Sequence, residues 1–245
     1  MIGHHALIGA TSRVSGAASA WHPTDEAVII EYGDATTMRD AGGSVPSEGE
    51  VVETWLSSGS VGTLTMTRAA GAPVLALSNG RPYIALPTLA SNGIIYSFTS
   101  KDLVGTELWV LLRKQSPSVV NMLSDNGGAG GTQYQFKAGA NLTIQGSSVV
   151  YSPTPLVPLS QTNWVIGRAQ FRADGGFLEI DGAGRDTFTG SQAAFDVGAM
   201  GRRLSAEIPQ FHIAAYATVF GTADSALEAN LYAYLGAERD ALNGV

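Results

Sequence analysis

An all-β fold, a two-sheet antiparallel jelly-roll sandwich closed by a short C-terminal α-helix, is the architecture this sequence predicts. Three observations point to it. Glycine is abundant, at 30 of 245 residues, and only 14% of residues are charged. Short β-branched and aromatic runs recur along the chain, each bounded by Gly, Asn, Asp or Pro, as in sandwiches and barrels. Near the C-terminus the apolar period changes from two to that of a helix. All-β domains often reach this length as one unit, and a chain this long can bury a large core.

The elements follow in order. Residues 1–27 are rich in Gly, Ala, Ser and Thr without periodicity, so they have no core of their own. Ala18-Ser19-Ala20 resembles a signal-peptidase site. The stretch before it is a poor match, with Arg13 as its one basic residue and its apolar part broken by His4, His5 and glycines. The segment is therefore expected to stay attached and to be held by the domain itself or by a neighbouring subunit. We take 1–27 as an anchoring segment and 28–245 as the sandwich.

The first strand is expected over Ala27–Tyr32, ended by the turn signal Gly33-Asp34. Further strands are expected at Val51–Leu56, Val61–Thr67, Tyr83–Leu86, Gly93–Thr99 and Leu108–Arg113. Thr132–Phe136 alternates, with Tyr134 and Phe136 on one face, and Leu142 and Ile144 repeat the pattern. Such alternation fits strands with one buried face. Later candidates are Trp164–Phe171, Phe177–Ile180, Ala194–Val197 and Phe211–Val219. Asp181-Gly182 suits a type I′ hairpin turn. Ser225-Ala226-Leu227-Glu228 matches a capping box, and Leu227, Leu231, Tyr234 and Leu235 then share one face of a helix of about four turns.

Composition also excludes functions. A net charge of −7 without a basic stripe argues against nucleic acid. The absence of cysteine removes disulfides, thiolate metal sites and cysteine nucleophiles. No 18-residue apolar run is present to span a membrane. His4-His5 lacks a third ligand nearby, so no metal and no other cofactor is expected. The glycine-rich Asp125–Gly131 lacks the Lys-Ser/Thr of a P-loop and reads as a flexible loop. Asn141-Leu142-Thr143 matches a glycosylation sequon by accident of a strand. Trp164 and His212 both lie in apolar strands, the first expected as a core anchor and the second as structural.

In the last third, Asn163-Trp164-Val165-Ile166-Gly167-Arg168 precedes Asp174–Gly182, Phe195–Gly201, Phe211–Tyr216 and the helical Ala223–Leu235. Upstream stand Asp34–Met38, Val52–Trp55 and Ala72–Tyr83. In this order the pieces resemble the concanavalin A-like lectin/glucanase (laminin-G-like) superfamily, and in particular phage or phage-like particle surface proteins. The resemblance spans roughly residues 34–240. Related glucanases carry a Glu-x-Asp-x-x-Glu strand. Here Glu179 and Asp181 fill two positions, Gly184 stands at the third, and Asp186 lies beyond it, so the second carboxylate of a hydrolytic pair is missing.

The resemblance implies a non-enzymatic spike, fibre or decoration protein on the surface of a phage-like particle, binding host-surface polysaccharide. Residues 1–27 would meet other particle subunits, and a homo-oligomer is expected. Asp125 and Asn126 would offer polar groups to sugar hydroxyls, and Arg202 and Arg203 would pair with acidic polysaccharide. The alternatives are a purely structural capsid or tail protein and a glycoside hydrolase.

Overall fold

A computed structural model describes residues 21–26, 30–58, 64–87, 95–115, 120–124, 133–136, 142–145, 150–151, 162–189, 196–200 and 211–245. Along the chain the strands are β1 (Ile30–Gly33), β2 (Met38–Arg39), β3 (Thr54–Trp55), β4 (Met66–Arg68), β5 (Val74–Ser78) and β6 (Arg81–Ala85). Next come β7 (Tyr96–Asp102), β8 (Thr106–Lys114), β9 (Val120–Ser124), β10 (Gln133–Phe136), β11 (Leu142–Gln145) and β12 (Val150–Tyr151). The last are β13 (Val165–Arg172), β14 (Gly175–Ile180), β15 (Ala183–Thr189), β16 (Asp196–Met200) and β17 (Phe211–Phe220), followed by helix α1 (Ser225–Asn243).

The strands form two antiparallel sheets, as the sequence predicts. One runs β15-β14-β13-β8-β17-β6-β5, with β1 also on β17. The other runs β12-β11-β10-β9-β16-β7-β4-β3-β2. β6 pairs with the start of β17 at His212 and Ile213, and β1 pairs with its end from Tyr216 to Val219. β17 therefore has neighbours along both sides.

Between the sheets lies the main core. Leu108, Val110 and Leu112 of β8 and Ile213 of β17 meet Met66, Phe98 and Met200 of the second sheet. The other face of the first sheet is buried too. Trp109 and Leu111 of β8, with Ala215 and Ala217 of β17, pack against Leu227, Leu231, Leu235 and Leu242 of α1. The molecule thus has three layers: sheet, sheet, helix. This explains why β8 reads as a continuous apolar run rather than an alternating one. Strands covered on both faces lose the period-two signal.

Two local signals behave as expected and one does not. Asp181 (φ 51°) and Gly182 (φ 69°) form the two-residue connection between β14 and β15, both in the left-handed region that a type I′ turn requires. The apolar face of α1 docks on the sheet, and Leu231 and Leu235 are fully buried. The N-cap, however, is Asp224 and not Ser225. Asp224 Oδ1 accepts the amide hydrogens of Ala226 and Leu227 at 3.0 and 2.8 Å. A carboxylate at this position satisfies two orphan amides and also meets the positive end of the helix dipole. Glu228 does not reach back to the cap; its carboxylate turns to arginines on the sheet. The far end stops at Gly244 (φ 78°), a left-handed C-cap. The helix runs to 19 residues, longer than the four turns expected.

Candidate functional site

Two polar constellations lie on the helix-bearing face of the first sheet, one sealed and one open. The sealed one is a ladder of charges across β8, β13, β14 and β15. Arg168 is 1% exposed and donates to Glu107 Oε2 through Nη2 at 2.8 Å and through Nε at 3.1 Å. Its Nη1 lies 2.9 Å from Glu228 Oε1 and 3.8 Å from Glu179 Oε1. Arg185 donates to Glu179 and to Glu228. Glu107 also accepts from Gln170 and from the Ala223 amide. The guanidinium of Arg168 sits 4.3 Å from the centre of the Trp109 ring. Hydrogen bonding to Arg168, with Arg185 behind it, holds the Glu228 carboxyl below its usual range. These groups serve one another. They tie the first turn of α1 to the sheet, with the arginine charges matched by carboxylates.

The motif carboxylates belong to this internal bonding. Glu179 is 5% exposed and accepts from Arg185. Asp181 Oδ1 accepts the Ile166 amide hydrogen at 2.8 Å and Arg239 Nη1–H at 3.1 Å. Trp164 is 1% exposed, a core anchor as expected and not a surface platform.

The open constellation is a cleft of about 150 Å³ between the C-terminal half of α1, β6, β17 and the turn after β1. Its floor is Leu111, Ala214 and Ala215. Two features create the space. A bulge between Ile213 and Ala215 puts Ala214 as an extra residue in β17. The small side chains of Ala214 and Ala215 then fill less of the space beneath the helix than larger residues would. The rim is polar: Tyr32, Asp34, Thr36, Arg81, Tyr234 and Glu238.

Each rim residue is positioned locally. Asp34 Oδ1 accepts from the amide and hydroxyl of Thr36 at 2.8 and 2.7 Å, an Asx-turn that ends β1. Tyr234 and Glu238 lie one helical turn apart on α1. Arg81 Nη1 stands 3.8 Å from Glu238 Oε1 across the opening. Tyr32 donates its hydroxyl hydrogen to Tyr234 Oη at 3.3 Å, with ring centres 5.8 Å apart. His22 packs edge-on against both rings at 5.3 and 5.0 Å. Burial pushes the Tyr234 phenol up to about 12, and burial with the nearby Asp34 carboxylate raises Tyr32 further. Both phenols are protonated at neutral pH; Tyr32 gives its hydrogen to Tyr234, whose own hydroxyl hydrogen remains to donate. The arrangement offers a hydroxyl, carboxylates and a guanidinium around a small apolar floor.

Among the described residues no cluster of three or more His, Cys, Asp or Glu side chains could hold a metal ion. Asp125, Asn126, Arg202 and Arg203, the residues expected to bind glycan, lie outside the described residues. Of the segment 1–27, residues 21–26 are described. There Trp21 and His22 pack on Tyr234 of the same chain. The cleft itself carries no sequence signature. Its rim draws on residues from 32 to 238, none forming a motif, and Asp34, Thr36, Arg81 and Tyr234 fall within the stretches that carry the family resemblance.

No family model and no curated protein matches the sequence. Solved structures do match in fold. A GH54 α-L-arabinofuranosidase variant soaked with 4-nitrophenyl α-L-arabinofuranoside has a TM-score of 0.56 at 9% identity, over 89% of this chain and 60% of that one. The same type of enzyme soaked with a cyclic sulfate inhibitor gives 0.55 at 8% identity, with the same coverage. A Trypanosoma rangeli sialidase in complex with the inhibitor DANA gives 0.49 at 8% identity, over 83% of this chain and 32% of that one. The chain spans 60% of the arabinofuranosidase and about a third of the sialidase. At these identities the likeness is one of fold.

Proposed function

We propose that this protein is a non-enzymatic glycan-binding β-sandwich, carried as a spike, fibre or decoration component on the surface of a phage or phage-like particle. The observation that carries the glycan reading is the cleft beneath α1. Two protonated tyrosines, Thr36, Asp34, Glu238 and Arg81 surround an apolar floor. Sugars are held in this way, by hydroxyl-matched hydrogen bonds over an apolar surface. The volume of about 150 Å³ suits one ring or one chain end and not an extended oligosaccharide. The fold likeness to an arabinofuranosidase soaked with an arabinofuranoside agrees with carbohydrate as the ligand class. The particle setting rests on the sequence resemblance and on the scarcity of lysine, with only Lys101, Lys114 and Lys137 in the chain.

The test is a glycan array probed with the full-length wild type, the Arg81→Ala/Glu238→Ala variant and the Asn126→Ala/Arg203→Ala variant. The cleft variant is expected to lose about tenfold in affinity for the bound glycan, the worth of one to two hydrogen bonds to charged groups. Its melting temperature should stay nearly unchanged, since Arg81 is exposed. Loss in the Asn126/Arg203 variant alone would move the site to the loops. No glycan bound by the wild type would leave only the structural role.

A further inference from the structure

Beyond the end of α1, on the same sheet face, lies a group of side chains in which the Arg113 guanidinium and the Trp164 indole N–H find no acceptor among the described residues. Arg113 of β8 and His212 of β17 are direct cross-strand partners. The Arg113 guanidinium sits 5.0 Å from the centre of the Trp164 ring and 5.5 Å from that of Tyr83. The Tyr83 ring meets the rings of Trp164 and His212 edge-on, each at 5.0 Å. Asn243, at the last turn of α1, fixes Trp164 from behind: its Oδ1 accepts the Trp164 amide hydrogen at 2.8 Å, and its Nδ2 donates to the Trp164 carbonyl at 3.2 Å.

The other arginines of the sheet face are matched: Arg168 by Glu107 and Glu228, Arg185 by Glu179 and Glu228, Arg81 by Glu238. Arg113 is the exception. It is half-buried and, among the described residues, makes no hydrogen bond and no ion pair. The Trp164 indole Nε1–H beside it is buried and also finds no acceptor. In a chain of net charge −7, a cation held between two aromatic rings without a carboxylate is not a shortage of carboxylates. Gln115 donates to the Leu86 carbonyl and to the His212 ring, so it keeps its amide oxygen free of both bonds.

We propose that Arg113 is the centre of an anion-binding site that takes the carboxylate of an acidic saccharide. The guanidinium fork supplies two parallel donors to a carboxylate, and the aromatic rings hold its plane. His212 adds no second charge near neutrality, because burial and the Arg113 charge pull its ionisation down to about 4. One positive charge matches a singly charged carboxylate better than a doubly charged phosphate. The site is separate from the cleft, and the choice of a saccharide as the carrier of the carboxylate rests on the glycan-binding reading proposed above.

The experiment is titration of the full-length protein with glucuronate, glucose and acetate, followed by calorimetry or NMR shifts, for the wild type, Arg113→Gln, Arg113→Lys and the Arg81→Ala/Glu238→Ala variant. The wild type is expected to bind glucuronate at least about tenfold more tightly than glucose and than acetate, the scale of one charge-assisted bidentate contact. Arg113→Gln should abolish that preference. Arg113→Lys, which keeps the charge and the fold but loses the fork, should keep part of it. The cleft variant should keep all of it. Equal affinity for glucose and glucuronate in the wild type would overturn the site without any variant. A preference that survives in Arg113→Gln would do the same. Acetate binding as tightly as glucuronate would overturn the saccharide assignment.

Discussion

His212 shows how one side chain reports on its surroundings. Burial and the neighbouring Arg113 lower its ionisation from 6.5 to about 4. Between those values the unfolded chain takes up a proton that the folded chain refuses. Stability should therefore be complete above about pH 6.5 and fall as the pH drops towards 4. The paired Glu228 carboxyl acts in the same direction but in a lower window, because its folded ionisation lies below the usual 4.5. The two are separable. In thermal melts from about pH 7 to about pH 2, His212→Phe should flatten the loss between 6.5 and 4 while leaving the fall below that range. An unchanged profile in the variant would assign the loss to other groups. Sequence reading anticipated a structural His212, since it sits in an apolar strand. It did not anticipate Arg113 beside it. Arg113 and Lys114 are as much an adjacent basic pair as Arg202 and Arg203, but an apolar strand hides them.

At the scale of elements, α1 is the part that the sequence states most openly. Its leucine spacing places a buried stripe, and the structure buries Leu227, Leu231, Leu235 and Leu242. Leu231→Ala should cost roughly 2–5 kcal/mol, because the residue is fully buried against the outer face of the first sheet. A melting midpoint equal to that of the wild type would show that the helix does not depend on this contact. Strands with strong β-branched and aromatic runs, such as β8, β13 and β17, were legible within a few residues. Val74–Ser78, Val120–Ser124 and Ala183–Thr189 were not. β5 sits at a sheet edge with Leu77 exposed, and β15 mixes Gly184, Arg185 and Asp186 with its apolar residues, so their runs carry little pattern. The cap moved by one residue because two capping residues stand side by side and a carboxylate outcompetes a hydroxyl at a helix start. The cleft was illegible for a different reason. A bulge in β17 is a property of strand pairing, and no single stretch of sequence contains both partners.

At the scale of the whole molecule, the open question is how residues 1–27 relate to the sandwich. Trp21 and His22 already belong to it, packed on Tyr234. Truncations at two points separate docking from anchoring. If the proposed particle role holds, removing residues 2–20 should leave the melting temperature nearly unchanged and abolish incorporation into the particle, as expected for an interface on the order of 1,000 Å². Removing residues 2–27 should also abolish incorporation but, unlike the shorter deletion, lower the melting temperature, because the aromatic contacts with Tyr234 go too. Normal incorporation of both truncated proteins would defeat the anchoring role.

The position of β17 has a consequence for how the protein is made. In the finished sheet β17 lies between β8 and β6, so those two strands never touch. Everything from β5 and β6 on one side, and from β8, β13, β14 and β15 on the other, is joined only through it. Yet β17 is the last of the described strands in chain order, and its pairing with β1 closes a loop of roughly 190 residues. Until then the nascent chain holds two half-sheets with open edges, β6 facing nothing and β8 unpaired along one side. The apolar face that α1 will cover is bare as well. Pairings this distant in sequence form slowly, and until β17 docks the edges of β6 and β8 stay open to other chains.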